Sequence, residues 1–166
     1  NSGQAGTIRV LAGGSLDIQG DPSWFYNQGG ATTVFDVQGA LTRSVSAGTA
    51  TVPTLSVSGT LLVSSGVLEA RNNGTSSGTL TVGTGAELRF TNGTQTLTGT
   101  AVVNGAGLVD VGTSATLTSA GTWSLTGTTR VSAGTLTYNA ATGTTGTLEV
   151  VGGVKGGGGI LGVTDA

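Results

Sequence analysis

The chain of 166 residues contains no cysteine, no histidine and no methionine, and only two prolines. Without cysteine it has no disulfide bond and no thiolate to act as a nucleophile or metal ligand. Without histidine it lacks the side chain that most often activates a nucleophile or serves as a general base. We therefore expect a protein that is not an enzyme and that has no metal ion and no cofactor.

Aromatic residues make up 4% of the chain and charged residues 8%, with a formal net charge of −2. So few large side chains predict a slender core, and so little charge gives no electrostatic attraction for nucleic acid or an anionic membrane surface. No window reaches the ~18 consecutive apolar residues of a membrane-spanning helix. A mean hydropathy of +0.22, with regularly placed leucine and valine, favours a folded chain over a disordered one.

The abundant residues are glycine (32), threonine (31) and serine (15), which together make up nearly half of the chain. Glycine costs about 1 kcal/mol relative to alanine at a helical position, and β-branched threonine is also a weak helix former. Threonine and valine instead suit a pleated, half-buried strand. This composition predicts an all-β protein.

A glycine, a small residue and a leucine recur along the chain, as in Gly39-Ala40-Leu41 and Gly78-Thr79-Leu80. After a first interval of 25 residues, the leucines follow one another at intervals of 17 to 20. We expect one stacked core ladder of seven leucines: Leu16, Leu41, Leu61, Leu80, Leu97, Leu117 and Leu136.

Short alternating runs such as Ala86-Glu87-Leu88-Arg89-Phe90 have the period of two that is typical of strands. Asn-Gly pairs between the runs suit tight hairpins, so an antiparallel meander is one alternative. The fixed period favours a parallel β-solenoid, because a coil returns to the same position once per turn. We predict a single-stranded parallel β-solenoid (β-helix) with roughly 19–20 residues per turn and roughly eight turns.

The segment Gly127-Thr128-Thr129-Arg130-Val131-Ser132-Ala133-Gly134-Thr135-Leu136-Thr137 resembles the strand repeat of bacterial autotransporter passenger domains. The segment Gly78-Thr79-Leu80-Thr81-Val82-Gly83-Thr84-Gly85-Ala86-Glu87-Leu88 resembles the same group, and the repeat length is similar to that of filamentous haemagglutinin-like secreted proteins. The resemblance implies a right-handed β-solenoid, an extracellular or bacterial cell-surface location, and a role as adhesin, stalk or filament subunit. It implies no catalytic residue.

We expect residues 1–166 to form one β-solenoid domain that is a segment of a longer solenoid. Residues 21–30 fall within the long leucine interval and predict an inserted aromatic loop. Residues 152–159 break the leucine spacing and predict a glycine-rich loop or linker.

Threonines flank four of the leucines, so the sequence predicts a flat grid of hydroxyl and methyl groups on one stacked face. Such Thr-x-Thr grids resemble those of ice-binding β-solenoids, whereas the structural interpretation is that threonine is simply a favoured strand residue. The candidate surface residues are Thr79, Thr81, Thr96, Thr98, Thr116, Thr118, Thr135 and Thr137.

The aromatic loop contains Trp24, Phe25 and Tyr26. Exposed aromatic rings on a loop stack on sugars or anchor a partner, which makes this segment a candidate ligand loop. The alternative is that the loop folds over the open end of the core and shields it, as solenoids commonly require.

Two acid–base pairs, Glu69/Arg71 and Glu87/Arg89, fall at nearly equal phases of successive turns and predict a stacked ladder of alternating charge. The alternatives are a charged recognition patch and a set of surface ion pairs. Catalytic β-helices that cleave polysaccharides need converging carboxylates, and only Glu69 and Glu87 are expected to lie close together.

The sequence therefore predicts a non-enzymatic structural or adhesive β-solenoid segment. We expect self-association, end to end or lateral, and a host or environmental surface or a glycan as a further partner. We expect neither nucleic acid as a partner nor a membrane span in this chain. Ice binding and glycan binding are the alternative functions.

Overall fold

The computed structural model describes residues 6–24 and 32–165, and twenty strands and no helix occur in these ranges. The strands are β1 (Thr7–Val10), β2 (Ser15–Ile18), β3 (Val34–Val37), β4 (Ala40–Arg43), β5 (Thr49–Val52), β6 (Thr54–Val57), β7 (Thr60–Val63), β8 (Val67–Ala70), β9 (Gly74–Ser76), β10 (Thr79–Val82), β11 (Glu87–Phe90), β12 (Thr94–Leu97), β13 (Val102–Gly105), β14 (Leu108–Val111), β15 (Thr116–Ser119), β16 (Thr122–Val131), β17 (Thr135–Tyr138), β18 (Thr142–Val150), β19 (Val154–Gly156) and β20 (Ile160–Val163). The described part of the chain therefore includes no helix that would span a membrane.

The strands stack in parallel as a three-sided β-solenoid. Face 1 consists of β1, β3, β6, β9, β12, β15, β17 and β19. Face 2 consists of β2, β4, β7, β10, β13, the first halves of β16 and β18, and β20. Face 3 consists of β5, β8, β11, β14 and the second halves of β16 and β18. The parallel pairing confirms the predicted β-solenoid and is incompatible with an antiparallel meander.

The solenoid has about 6 turns, fewer than the predicted eight. Counted from β3 to β18, six turns have a strand on each of the three faces, and β1, β2, β19 and β20 belong to incomplete turns at the two ends. The difference arises because inserted corner residues lengthen some turns. Leu16 and Leu41 are paired across 25 residues, and Leu80 and Val103 across 23.

The register divides the seven leucines between two faces, which corrects the prediction of a single ladder. On face 2, Leu16, Leu41, Leu61 and Leu80 form one inward column, which continues through Val103 and Trp123. On face 1, Leu117 pairs with Leu136 and with Gln95, while Leu97 belongs to the neighbouring inward column. All seven point inward, and all except half-buried Leu16 are buried. Counting leucines failed at Leu97 because its turn contains a longer corner.

Glycines at the corners allow successive turns to approach each other. A Cβ atom at Gly59 would lie 2.1 Å from the Gly39 carbonyl oxygen, and one at Gly78 would lie 2.0 Å from that of Gly59. These distances are far below van der Waals contact, so no other residue fits this stacked position without moving the backbone. This requirement explains why the Gly-small-Leu step recurs just before face 2.

The segment at residues 152–159 is partly regular. Its strand β19 pairs in parallel with β17, with Leu136 opposite Lys155. The interpretation of the whole segment as a loop or linker is therefore corrected: glycine permits this backbone pairing, and residues 154–156 continue face 1.

Candidate functional surface

A threonine grid covers the lower part of face 1. Thr94, Thr116 and Thr135 form one outward column. The second outward column consists of Thr75, Thr96, Thr118 and Thr137. We call these seven residues the threonine grid. Three successive strands, β12, β15 and β17, each contribute one Thr-x-Thr pair to it.

The grid differs from the predicted one in three places. Thr79 and Thr81 lie outward on β10 and therefore on face 2. Thr98 follows the end of β12 at a corner, where its hydroxyl lies 3.1 Å from that of Thr100. Five of the eight predicted residues are brought together on face 1, while the other three lie elsewhere.

The prediction missed Thr75 and Thr94, which belong to the grid. It was centred on the leucines, and in β12 the inward residue between the two threonines is Gln95, not Leu97. The signal that finds them is the alternation Thr94-Gln95-Thr96 once the register is anchored on Leu117. A buried glutamine hides that alternation from a search for apolar residues.

The spacing of the grid follows from the strand geometry. Parallel strands lie about 4.8 Å apart, and alternate residues on one strand are about 6.6 Å apart. Thr75 and Thr94 are exposed, and the other five threonines are half-buried beside their neighbours. Each presents a hydroxyl and a methyl group, so the surface combines hydrogen-bonding and apolar contacts at regular intervals.

Face 3 has a ladder of alternating charge in one outward column. Its members, in order along the solenoid, are Glu69, Arg89, Asp110, Arg130 and Glu149. We call this set the charge ladder. The predicted alternation is present, but Glu69 pairs with Arg89, whereas Glu87 pairs with Val67.

The charges in this ladder contact one another closely. Arg89 Nε lies 2.7 Å from Glu87 Oε1 and 3.9 Å from Asp110 Oδ2, while its Nη1 lies 3.7 Å from Glu69 Oε2. Arg130 Nε lies 2.6 Å from Glu149 Oε2. Hydrogen bonding to Glu87 raises the pKa of Arg89, and hydrogen bonding to Glu149 raises that of Arg130. Both arginines therefore stay charged and hold the carboxylates in place.

The described part of the aromatic segment packs against the solenoid. Trp24 is half-buried, and its ring centroid lies 5.0 Å from that of Phe35 in an edge-to-face arrangement. Its amide donates to the Thr51 carbonyl at 3.1 Å, as a strand above β5 would. This position supports the interpretation that Trp24 shields the core. Phe25 and Tyr26 lie outside the described residues.

A buried arginine fastens the same segment. Arg43 occupies an inward position of face 2, is fully buried, and its Nη2 lies 2.5 Å from Asp21 Oδ1. It also donates to the carbonyl oxygens of Ile18, Ser44 and Gly48 at 3.0–3.1 Å. The sequence gave no sign of this residue, because its charge contradicts the apolar pattern of the inward column.

The acidic side chains are mostly engaged with neighbours. Asp36 pairs with Arg9 at 2.6 Å, and Asp17 accepts hydrogen bonds from Ser44 at 2.8 and 2.9 Å. Glu69 and Asp110 lie on either side of Arg89. Within residues 6–24 and 32–165, no group of three or more Asp, Glu, His or Cys side chains is arranged to hold a metal ion.

Comparisons of the chain with protein-family models, with curated proteins and with solved structures found no match. The structure thus defines the chain by its fold, an all-β solenoid of about 6 turns.

Proposed function

We propose that the chain is a non-enzymatic, structural and adhesive β-solenoid segment of an extracellular or bacterial cell-surface protein. The observation that carries the proposal is the threonine grid, a regular polar surface of seven threonines on a continuously hydrogen-bonded scaffold. The resemblance of residues 127–137 to the repeats of secreted bacterial solenoids supports the location and the role as adhesin, stalk or filament subunit.

The scaffold suits this role mechanically. Ladders of parallel strands continue without interruption along face 2 from β2 to β16 and along face 3 from β5 to β16. Each turn is joined to the next by backbone hydrogen bonds, so side chains on the outside keep fixed positions. A surface that makes many weak contacts gains affinity from repetition, provided that its groups are held at constant spacing.

The adhesive role is tested by displaying the chain on bacterial cells and measuring their retention on glass and on cellulose under flow. The variant Thr96→Val/Thr118→Val removes two hydroxyls from the grid but keeps the shape and strand preference of the side chains. We expect retention to fall several-fold. The matched control Thr79→Val/Thr81→Val removes two hydroxyls from face 2 and should retain cells as the original chain does. Equal retention by all three chains would refute adhesion through the grid.

Self-association end to end is the second part of the proposal. Strands β1 and β2 at one end and β19 and β20 at the other have an unpaired edge within the described residues. Exposed apolar side chains accompany them: Leu11 is 61% exposed, Val154 59% and Ile160 64%. Open strand edges beside apolar side chains favour addition of a further copy of the chain.

Sedimentation velocity over a range of protein concentrations tests this association. We expect the original chain to form species larger than a monomer as the concentration rises. The variant Ile160→Lys places a charge beside the β20 edge and should remain monomeric at the same concentrations. A monomer at all concentrations for both chains would contradict the proposal.

Ice binding is a second candidate function, favoured by the three Thr-x-Thr pairs that stack in register on β12, β15 and β17. Thermal hysteresis and labelling of ice planes test it. Thr96→Tyr/Thr118→Tyr should abolish both effects because the rings disrupt the flat surface, whereas Thr81→Tyr on face 2 should not. Unchanged ice growth in the presence of the original chain would remove this candidate.

A further inference from the structure

The sheet of face 1 is interrupted between β6 and β9. Strands β1, β3 and β6 form one ladder, and β9, β12, β15, β17 and β19 form a separate one. At the same level, β7 pairs with β10 and β8 with β11, each over four residues. Two sides of the solenoid are therefore continuous at this level, and the third side is not.

Two serine hydroxyls join the strands where the ladder is interrupted. The Thr75 amide donates to Ser56 Oγ at 3.3 Å, and the Val57 amide donates to Ser76 Oγ at 3.2 Å. Both distances exceed the usual 2.9–3.0 Å of backbone hydrogen bonds. A hydroxyl also rotates about its Cβ–O bond, so these contacts constrain the strands less than a backbone ladder does.

The core beneath this junction contains little apolar material. The inward residues of β9 are Gly74 and Ser76, whereas the residues in the same columns of β6 are Leu55 and Val57. A Cβ atom at Gly74 would lie 2.1 Å from the Leu55 carbonyl oxygen, so no larger residue fits. The next residue in the column of Gly74 is Gln95, whose amide donates to the Asn72 carbonyl oxygen.

Hydrogen bonding and apolar packing are thus weakened at the same place and on one side only. We propose that the junction between β6 and β9 is a one-sided hinge, at which the solenoid bends by opening face 1 while faces 2 and 3 act as the pivot. The hinge separates a first block, which contains β1 to β8, from a second block, which contains the whole threonine grid. This inference concerns the mechanics of the rod and does not depend on what the grid binds.

Residue-resolved hydrogen exchange of the original chain is the first test. The amides of Val57 and Thr75 should exchange about 10-fold or more faster than those of Val37 and Thr96, which occupy equivalent positions in regular ladders, because local opening exposes them. Equal protection of the two sets would overturn the hinge.

Electron–electron distance measurements provide the second test. Spin labels at Val34→Cys/Thr135→Cys span five turns across the junction on face 1, about 24 Å. Labels at Thr42→Cys/Thr144→Cys span the same number of turns on face 2. The face 1 pair should give the broader distribution with a tail to longer distances. Distributions of equal width would refute bending toward either side.

A matched pair of variants links the motion to the serines. Ser76→Ala removes the acceptor of the Val57 amide and should broaden the face 1 distribution further. Ser119→Ala lies in the same inward column, but the Ser119 hydroxyl has no hydrogen-bond partner within the described part of the chain. It should leave both the distances and the exchange of Val57 unchanged. If Ser119→Ala broadens the distribution as much as Ser76→Ala, the hinge is not located at the junction.

Discussion

Ser76 and Ser119 are both buried, at 3% and 1% exposure, in one inward column of face 1. The Ser76 hydroxyl accepts a hydrogen bond from the Val57 amide, whereas the Ser119 hydroxyl has no partner among the residues described. Removing a hydroxyl that satisfies a buried group leaves that group unpaired, but removing an unsatisfied hydroxyl leaves nothing behind. The same substitution at the two positions should therefore have different energetic effects.

We predict that Ser76→Ala lowers the free energy of unfolding by about 1–3 kcal/mol, because the Val57 amide loses its acceptor. Ser119→Ala should change it by less than about 0.5 kcal/mol or raise it slightly. Urea denaturation followed by circular dichroism measures both values. Equal losses would show that the hydroxyls act through packing alone.

Tyr138 predicts how the protein responds to alkaline pH. Burial raises the pKa of its phenol, whose hydroxyl donates to the Thr142 carbonyl oxygen at 2.9 Å. A raised pKa in the folded state means that the contribution to stability is complete below the pKa of the unfolded chain, about 10. It is lost as the pH rises through the higher pKa of the folded state.

The free energy of unfolding should therefore fall above pH 10, with tyrosinate absorbance at 295 nm appearing as the protein unfolds. Tyr138→Phe removes the ionisable group and should flatten this part of the stability profile, although it also leaves the Thr142 carbonyl unpaired. An equally steep alkaline loss in Tyr138→Phe would assign the effect to other groups.

The sequence predicted which residues are apolar and inward but not the polar residues that share those positions. Alternation identified the leucines, since they lie between threonines. Arg43 and Gln95 could not be found, because a buried polar residue is tolerated only where a partner awaits it. Those partners, Asp21 and the Asn72 carbonyl, are brought near by the coil and not by sequence spacing.

At the scale of whole strands and corners, the closest constraint is the stacking of glycines before face 2. We predict that Gly78→Ala costs about 2 kcal/mol or more, because its Cβ would lie 2.0 Å from the Gly59 carbonyl oxygen and the turns would have to separate. Gly20→Ala is the control, since a Cβ there meets nothing within 4 Å. Thermal unfolding of the two variants should differ clearly; similar midpoints would show that the corners adjust freely.

The charge ladder allows a similar comparison on face 3. Arg89 lies between Glu69 and Asp110, whose side chains are only 9% exposed, whereas Arg9 is 55% exposed in an isolated pair with Asp36. Removing Arg89 leaves two shielded carboxylates without their shared cation, which costs more than losing a surface pair.

We predict that Arg89→Met destabilises the protein by about 1–3 kcal/mol and Arg9→Met by less than about 1 kcal/mol. Urea denaturation at low and at 1 M salt measures both, and high salt should reduce the smaller loss more completely because exposed charges are screened. An equal loss for the two variants would mean that the ladder is no more than a row of surface pairs.

Strands were predictable from alternation, but their register was not. Paired positions are separated by 19 residues between Leu61 and Leu80 and by 23 between Leu80 and Val103. Only the corners differ in length, and corner residues carry no signal that fixes their number. The grid was therefore placed one strand away from its true position in turns that contain β10 and β12, although its existence was inferred from composition.

At the scale of the whole molecule, the solenoid combines a period that the sequence displays with an asymmetry that it hides. The period gives the fold, because each turn buries its leucines and valines only against the next turn. The asymmetry arises at β9, where glycine and serine replace the larger inward residues and divide face 1 into two ladders. Stability in such a protein is a sum of turns and of the contacts between neighbouring turns.

A cavity made in one block should therefore affect that block more than the other. Leu136 is fully buried in β17, and we predict that Leu136→Ala costs about 2–5 kcal/mol. Exchange of amides should increase from β12 to β20, while β3 and β6 keep their protection, because the junction at β9 transmits little on face 1. Leu41→Ala in the first block, at a residue 1% exposed, should give the reverse pattern. A uniform increase over all turns in both variants would mean that the solenoid unfolds as one unit and that the serine junction does not divide it.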